Sequence, residues 1–215
     1  MKTYIVIGLG RFGTSVATRL YELGNEVLAI DAKEENIQQI SDRVTHAAVG
    51  DARDEAVLRA LGVRNFECAI VAIGEDLAAS ILITLTLKEL GVPAVICKAS
   101  NEAYKLALEK VGADRVVIPE REMAAKLAQN LSCSNILDFI ELSDTYGIAD
   151  VAVPESWVGK SIRELNVRAK YGINVLAVKV NGKLQVMPSA DAHMEPGTVL
   201  VAMGTNEQLA KLQKR

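Results

Sequence analysis

The residues with the clearest chemical potential near the start of the chain are three glycines, an arginine and a carboxylate. Gly8, Gly10 and Gly13 follow an apolar run that begins at Tyr4, and Asp31 ends the next apolar run, Glu26 to Ile30. In a G-x-G-x-x-G stretch the first glycine permits a tight turn. The second lets the backbone approach a phosphate, and the third lets the following helix pack closely on its strand. Phosphates are then expected at the N-terminus of a helix from about Arg11 to Leu23, where free N–H groups and the dipole favour anions. Asp31 is placed to accept hydrogen bonds from a ribose 2′,3′-hydroxyl pair, and its charge argues against the 2′-phosphate of NADP. Its plain alternative is a solvated carboxylate after a strand.

Four further residues have both a chemical and a structural reading. Arg11, at the mouth of the expected phosphate site, can add charge-assisted bonds to a polyphosphate, or it is an exposed helix-start residue. A triphosphate gains more from that cation than a diphosphate dinucleotide does. Asp51, after Val49-Gly50, lies near an adenosine or caps the helix beginning near Asp54. Lys98 ends an apolar run and is either a second phosphate partner or a solvated lysine. Glu120 follows Pro119 at a helix start, where it favours the dipole or ligates a hard cation beside phosphates.

These residues need a scaffold that gathers them. Short apolar runs predict strands at 4–7, 27–30, 45–49, 68–73, 94–98 and 115–118, alternating with helices near 11–23, 33–42, 54–61, 76–90 and 102–111. The alternation implies an α/β Rossmann-like, doubly wound parallel sheet covered on both faces, over residues 1–119. Gly24, Gly62, Gly91 and Gly112 each follow a helix's last apolar position, as a C-terminal cap requires. A helix from Glu120 to Leu131, broken at 132–135, reads as a connector over 120–135. Beyond it strand periodicity takes over at 136–142, 148–153, 175–180, 184–187 and 199–203. Asn181-Gly182 supplies hairpin chemistry, and short helices are expected at 161–165 and 207–212. Residues 136–215 thus form a smaller α+β lobe.

Bulk properties narrow the function. The chain has 215 residues, is half hydrophobic and carries a formal charge of −3. That fits one or two folded domains and gives no electrostatic footprint for nucleic acid. The start, Met1-Lys2-Thr3, runs directly into a strand and predicts no signal peptide, and the apolar runs are too short to span a membrane. Cys68 and Cys97 fall in expected central strands and Cys133 in a loop, without C-x-x-C spacing, which reads as reduced cytosolic thiols. His46 and His193 stand apart from other ligand types. No nucleophile–base or metal-binding arrangement is visible, which favours a non-enzymatic, nucleotide-binding sensor over an NAD-dependent oxidoreductase.

The runs IVIGLGRFG, VTHAAVGDARDE, KASNE, EKVGADRVVIPEREMAAKLAQNL and LNVRAKYGINVLAV, in this order and spacing, resemble the cytosolic regulatory subunits of Ktr-type potassium uptake systems, within the TrkA-like RCK family. The likeness spans essentially the whole chain. It implies a nucleotide-binding RCK N-domain, a crossover helix and an RCK C-terminal lobe. It also implies dimers assembled into an octameric ring, cytoplasmic and docked at the inner face of the membrane on a potassium-translocating subunit. ATP and ADP are the implied ligands, with NAD or NADH as the Trk-type alternative. Residues Gly8, Gly10, Arg11, Phe12 and Gly13 would surround the phosphates, with Arg11 at the γ-phosphate. Asp31 would hold the ribose, Asp51 and Ala52 would lie by the adenosine, and Ala72, Ile73, Gly74 and Lys98 would complete the pocket. Glu120 matches a family carboxylate that helps bind Mg2+, Ca2+ or Na+. In the lobe, Arg168, Ala169, Ile173, Asn174, Val175 and Pro188 match a cyclic di-AMP pocket. One departure is Asp51, where many relatives carry Asn, which raises the local negative charge.

Overall fold

The computed structural model describes residues 1–132, 136–143 and 145–212. They form two units, Met1–Glu122 and Met123–Arg215. In the first, the apolar runs become strands β1 (Thr3–Ile7), β2 (Glu26–Asp31), β3 (His46–Val49), β4 (Cys68–Val71), β5 (Ala94–Lys98) and β6 (Arg115–Val117). Helices α1 (Arg11–Glu22), α2 (Glu34–Ile40), α3 (Glu55–Ala60), α4 (Leu77–Glu89) and α5 (Glu102–Lys110) alternate with them. All neighbouring strands pair in parallel, in the order β3-β2-β1-β4-β5-β6. The direction of winding reverses between β1 and β4, the place where open α/β sheets bind ligands.

Strand side chains alternate between two cores, as a sheet covered on both sides demands. Ile5, Ile7, Leu28, Ile30, Ala69, Val71, Val95 and Cys97 join Leu58, Ile83, Leu87 and Leu108 from α3, α4 and α5. Val6, Val27, Ala29, Cys68 and Ile70 pack on the other face with Ala17, Ile37 and Ile40 from α1 and α2. Both thiols are free and buried, and burial pushes their pKa values up, so they behave as core fillers. Cys133 lies outside the described residues.

Local chemistry sets the helix ends. Gly24, Gly62, Gly91 and Gly112 all adopt positive φ. At Gly91 the N–H donates to Lys88 O at 3.0 Å and Val92 N–H to Leu87 O at 3.1 Å, with Val92 and Leu87 buried together. That is the glycine-terminated cap that satisfies a helix's last carbonyls. Asp54, Asp76 and Asn101 cap the starts of α3, α4 and α5 by accepting from Ala56, Ala79 and Tyr104 N–H at 2.9 Å each. The cap of α3 is therefore Asp54 and not Asp51. The strand expected at 68–73 stops at Val71; Ala72 N–H still donates to Ile7 O at 2.8 Å, and Ala72 and Ile73 close on Gly8. Asp114 ties the outer strands together, accepting from Val95 N–H at 2.6 Å and from Lys88 Nζ at 2.9 Å.

Helix α6 (Pro119–Ser132) starts at a proline, whose missing N–H costs nothing there. The second unit follows with β7 (Ile136–Glu141), β8 (Tyr146–Ala152), α7 (Ile162–Leu165), α8 (Val167–Tyr171), β9 (Asn174–Val180), β10 (Lys183–Val186), β11 (Val199–Thr205) and α9 (Asn206–Lys211). Its sheet is antiparallel in the order β10-β9-β11-β8-β7. The β9–β10 hairpin turns at Asn181 and Gly182, both at positive φ, as a two-residue type I′ turn requires. Ala149, Val151, Leu200 and Ala202 face a core built with Trp157, Leu165, Val167, Ile173, Met194 and Leu209. Helix α8 has no counterpart in the sequence expectation. Its five residues are too few for a helical period, and Asn166 at φ 46° separates it from α7.

Candidate functional site

Every sequence-predicted nucleotide residue lies at the carboxyl end of a strand of the parallel sheet. The glycine loop follows β1, Asp31 ends β2, Asp51 and Ala52 follow β3, and Ala72–Gly74 follow β4. Lys98 ends β5 and Glu120 follows β6. Ile7, Gly8, Ile30, Asp31, Lys33, Gly50, Asp51, Ala52 and Ile73 enclose part of this edge, a crevice of about 210 Å3. A larger hollow of about 290 Å3 lies at the end of α3, lined by Arg59, Gly62, Val63, Arg64, Asn65 and Leu90. Size alone would choose neither, since a hollow of about 440 Å3 lined by Ser156, Trp157, Lys160, Glu164, Lys170 and Tyr171 lies in the second unit. Convergence of loops at the switch point chooses the crevice.

The three glycines have different physical roles. Gly8 sits at φ +91°, and a Cβ there would come within 2.9 Å of Ile73 Cγ1. At Gly13 a Cβ would fall 1.9 Å from Gly8 O, so only glycine lets α1 sit this close to the loop. At Gly10 a Cβ would meet nothing within 4 Å. This glycine leaves room beside the start of α1, whose first turn has neither a side-chain cap nor an acidic residue. The first-turn N–H groups are thus available to an anion.

Asp31 is not a loosely solvated carboxylate. Its Oδ2 accepts from Leu9 N–H at 2.6 Å and its Oδ1 from Lys33 N–H at 2.8 Å, so it clamps the glycine loop to the end of β2. Each oxygen keeps a further lone pair for a ribose hydroxyl. Asp51 pairs with Arg53 two residues on. Nε and Nη2 of Arg53 lie 2.9 and 2.6 Å from the two carboxylate oxygens, and Arg53 N–H adds a bond of 3.0 Å. These side-chain and backbone hydrogen bonds hold the Asp51 carboxyl at about 2. Arg53 escaped the sequence reading. Its signal is a cation two residues after a carboxylate in a strand-end loop.

On the other side of the switch point, Lys98 Nζ donates to Glu120 Oε1 at 2.8 Å and stands 5.9 Å from the Phe12 ring centroid. Gly74 leaves a lane for the lysine stem, since a Cβ there would meet Cδ and Cε at 3.2 Å. The hydrogen bond from Lys98, with lesser help from the Arg11 charge, holds the Glu120 carboxyl below the usual range. Lys98 is mostly sheltered, with 18 % of its side chain exposed, while Glu120 is open at 65 %. Arg11, Phe12, Lys98 and Glu120 thus form one charged cluster. Among the described residues no group of three His, Cys, Asp or Glu side chains is poised around a metal.

The residues matched by resemblance to a cyclic di-AMP pocket lie in the second unit. Arg168 and Ala169 are exposed on α8, and Asn174 and Val175 begin β9. Met187 N–H donates to Leu176 O at 2.9 Å, which brings Pro188 beside the same stretch. Ile173 is fully buried, so its side chain belongs to the core and only its backbone can face a ligand.

Residues 4–119 match the TrkA-N domain and residues 148–215 the TrkA-C domain. The chain is 42 % identical over 214 residues to Ktr system potassium uptake protein C of Bacillus subtilis, covering 100 % of this chain and 97 % of that protein. It is 43 % identical over 212 residues to Ktr system potassium uptake protein A of the same organism, covering 99 % and 96 %. The chain belongs to the Ktr family. The fold of this Ktr-family chain also matches the GsuK channel bound to NAD, with a TM-score of 0.66 at 19 % identity, over 98 % of this chain and 38 % of that one. Among the described residues no helix is long and apolar enough to cross a membrane.

Proposed function

We propose that this Ktr-family chain is a non-enzymatic, nucleotide-sensing gating subunit of a potassium uptake system. Its site binds ATP or ADP across the carboxyl edge of the parallel sheet. Residues 1–119 serve as the nucleotide domain, 120–135 as the crossover connector and 136–215 as the ligand-binding lobe. The observation that carries the reading is the grouping of Arg11 and Lys98 beside the open first turn of α1. Two cations at a helix N-terminus suit a polyphosphate.

ATP and ADP share the adenosine and two phosphates, so only the γ-phosphate and its cation can favour one shape over another. Arg11 reads that phosphate, and Lys98 leaves Glu120 to join it. Glu120 is then free to complete the shell of Mg2+, Ca2+ or Na+. One exposed carboxylate fits such an ion only where phosphate oxygens supply most of its ligands. Identical copies in an octameric ring add their bias, at a typical coupling of about 1–3 kcal/mol per site. The ring is cytoplasmic and docks on a membrane potassium-translocating subunit. Cyclic di-AMP binds the lobe through Arg168, Ala169, Asn174, Val175, Pro188 and the backbone of Ile173.

The alternative ligand is NAD or NADH. Asp31 at the ribose position and the fold shared with an NAD-bound channel support it. Calorimetry of ligand-stripped protein with ATP, ADP, NAD and NADH separates the two. Arg11→Ala should weaken ATP by roughly ten- to a hundredfold and ADP much less, the loss of a charge-assisted bond to one phosphate. Equal losses for both nucleotides would remove γ-phosphate sensing.

A further inference from the structure

The crevice that is to accept a polyanion is lined by two carboxylates, Asp31 and Asp51. Each would repel entering phosphates over several ångströms. Asp31 has both oxygens turned to backbone N–H dipoles of Leu9 and Lys33. Asp51 is treated differently, because a full cation closes on it. Arg53 Nε lies 2.9 and 3.0 Å from the two oxygens and Nη2 lies 2.6 Å from Oδ2. The same guanidinium is within electrostatic reach of Asp76, the cap of α4 beyond β4.

We infer that Arg53 sets the affinity of the crevice by cancelling the Asp51 charge, which lets the phosphates of a nucleotide settle without Arg53 touching them. It is a positioning residue that acts through Asp51. The inference rests on the nucleotide reading and adds a residue to it. Exposed ion pairs contribute little to folding, so the effect belongs in binding and in its salt dependence.

The test is calorimetry with ATP, and with NAD in parallel, on wild type, R53A, R53K, D51N and the double variant R53A/D51N. Each is measured at low and at high salt. Arg53→Ala should weaken binding about three- to tenfold at low salt, with the loss shrinking as salt screens the bare carboxylate. Arg53→Lys keeps the charge and most of the affinity. Asp51→Asn sets the reference for the double variant, whatever its own effect as a residue of the crevice. The double variant binds within about twofold of D51N, because the charge that needed cancelling has gone. Unchanged binding in R53A overturns the inference, as does an Arg53→Ala loss as large in the D51N background as in wild type, which would put the guanidinium against the ligand itself. If wild type binds neither ATP nor NAD, the nucleotide reading falls and this inference with it. If wild type binds and R53A matches it, only the inference falls.

Discussion

In the parallel sheet, alternate residues of β1 feed two separate cores, Ile5 and Ile7 on one side and Val6 on the other. In the antiparallel sheet one set of residues packs inward while Ile140, Ile148, Asp150, Lys179, Leu184 and Val201 line a shallow hollow on the other face. Several of these are plainly at the surface, with Ile140 at 55 % and Leu184 at 56 % exposure. The first sheet has no face left for a ligand, so its chemistry gathers at the strand ends, where the loops are. The second leaves apolar side chains at the surface of one face, with the Lys179–Asp150 ion pair set among them.

The sharpest way to break this contrast is at the glycine loop. Gly13→Ala should cost about 3 kcal/mol or more, because a backbone oxygen blocks the new methyl and neither partner can move cheaply. Chemical denaturation of the first unit reads that loss. Gly10→Ala meets nothing within 4 Å, so stability should hold within about 1 kcal/mol while nucleotide affinity falls. A stability loss equal to that of Gly13→Ala would mean the loop is packed and not open.

A smaller effect is expected at the opposite edge of the same sheet. Burial raises the Asp114 pKa, but hydrogen bonds from Val95 and Lys88 outweigh it and hold the carboxyl below its ordinary value. A folded-state pKa below the unfolded one gives stability that is complete at neutral pH. It is lost as pH falls through the folded value, below about pH 4. Asp114→Asn should cost about 1–2 kcal/mol after discounting the partly exposed Lys88 contact for solvent screening. It should also flatten the acid side of a melting-temperature profile, and an unaltered acid slope would remove Asp114 from the account. The smallest stability effect belongs to the second sheet. Leu184→Ser should change unfolding by about 0.5 kcal/mol or less, yet shift sedimentation toward smaller species if that face joins copies. An unchanged distribution would show that the face stays wet.

What could be foreseen in the sequence follows the range of each interaction. Gly8 and Gly13, the capping glycines and the six parallel strands were legible, because turn geometry and apolar period act over a few residues. Asp31 was legible as a position but not as a clamp, since its partner Leu9 lies 22 residues away and is joined only by strand pairing. The Lys98–Glu120 pair, also separated by 22 residues, needs β5 and β6 side by side before it exists. Arg53 left only the spacing of a cation two residues after Asp51, and the closure of its guanidinium on both carboxylate oxygens appears only in the fold. Asp51 was weighed as a helix cap although Asp54, nearer the helix, holds that place. The second unit's strands were readable from alternation, while α8 was too short to leave a period.

Glu120 is the second residue of α6, a rod of 14 residues and so roughly 21 Å long. Its bond to Lys98 ties the first turn of that rod to the end of β5. The same lysine stands beside the Phe12 ring in the first turn of α1, so one side chain joins the starts of two helices to a single strand end.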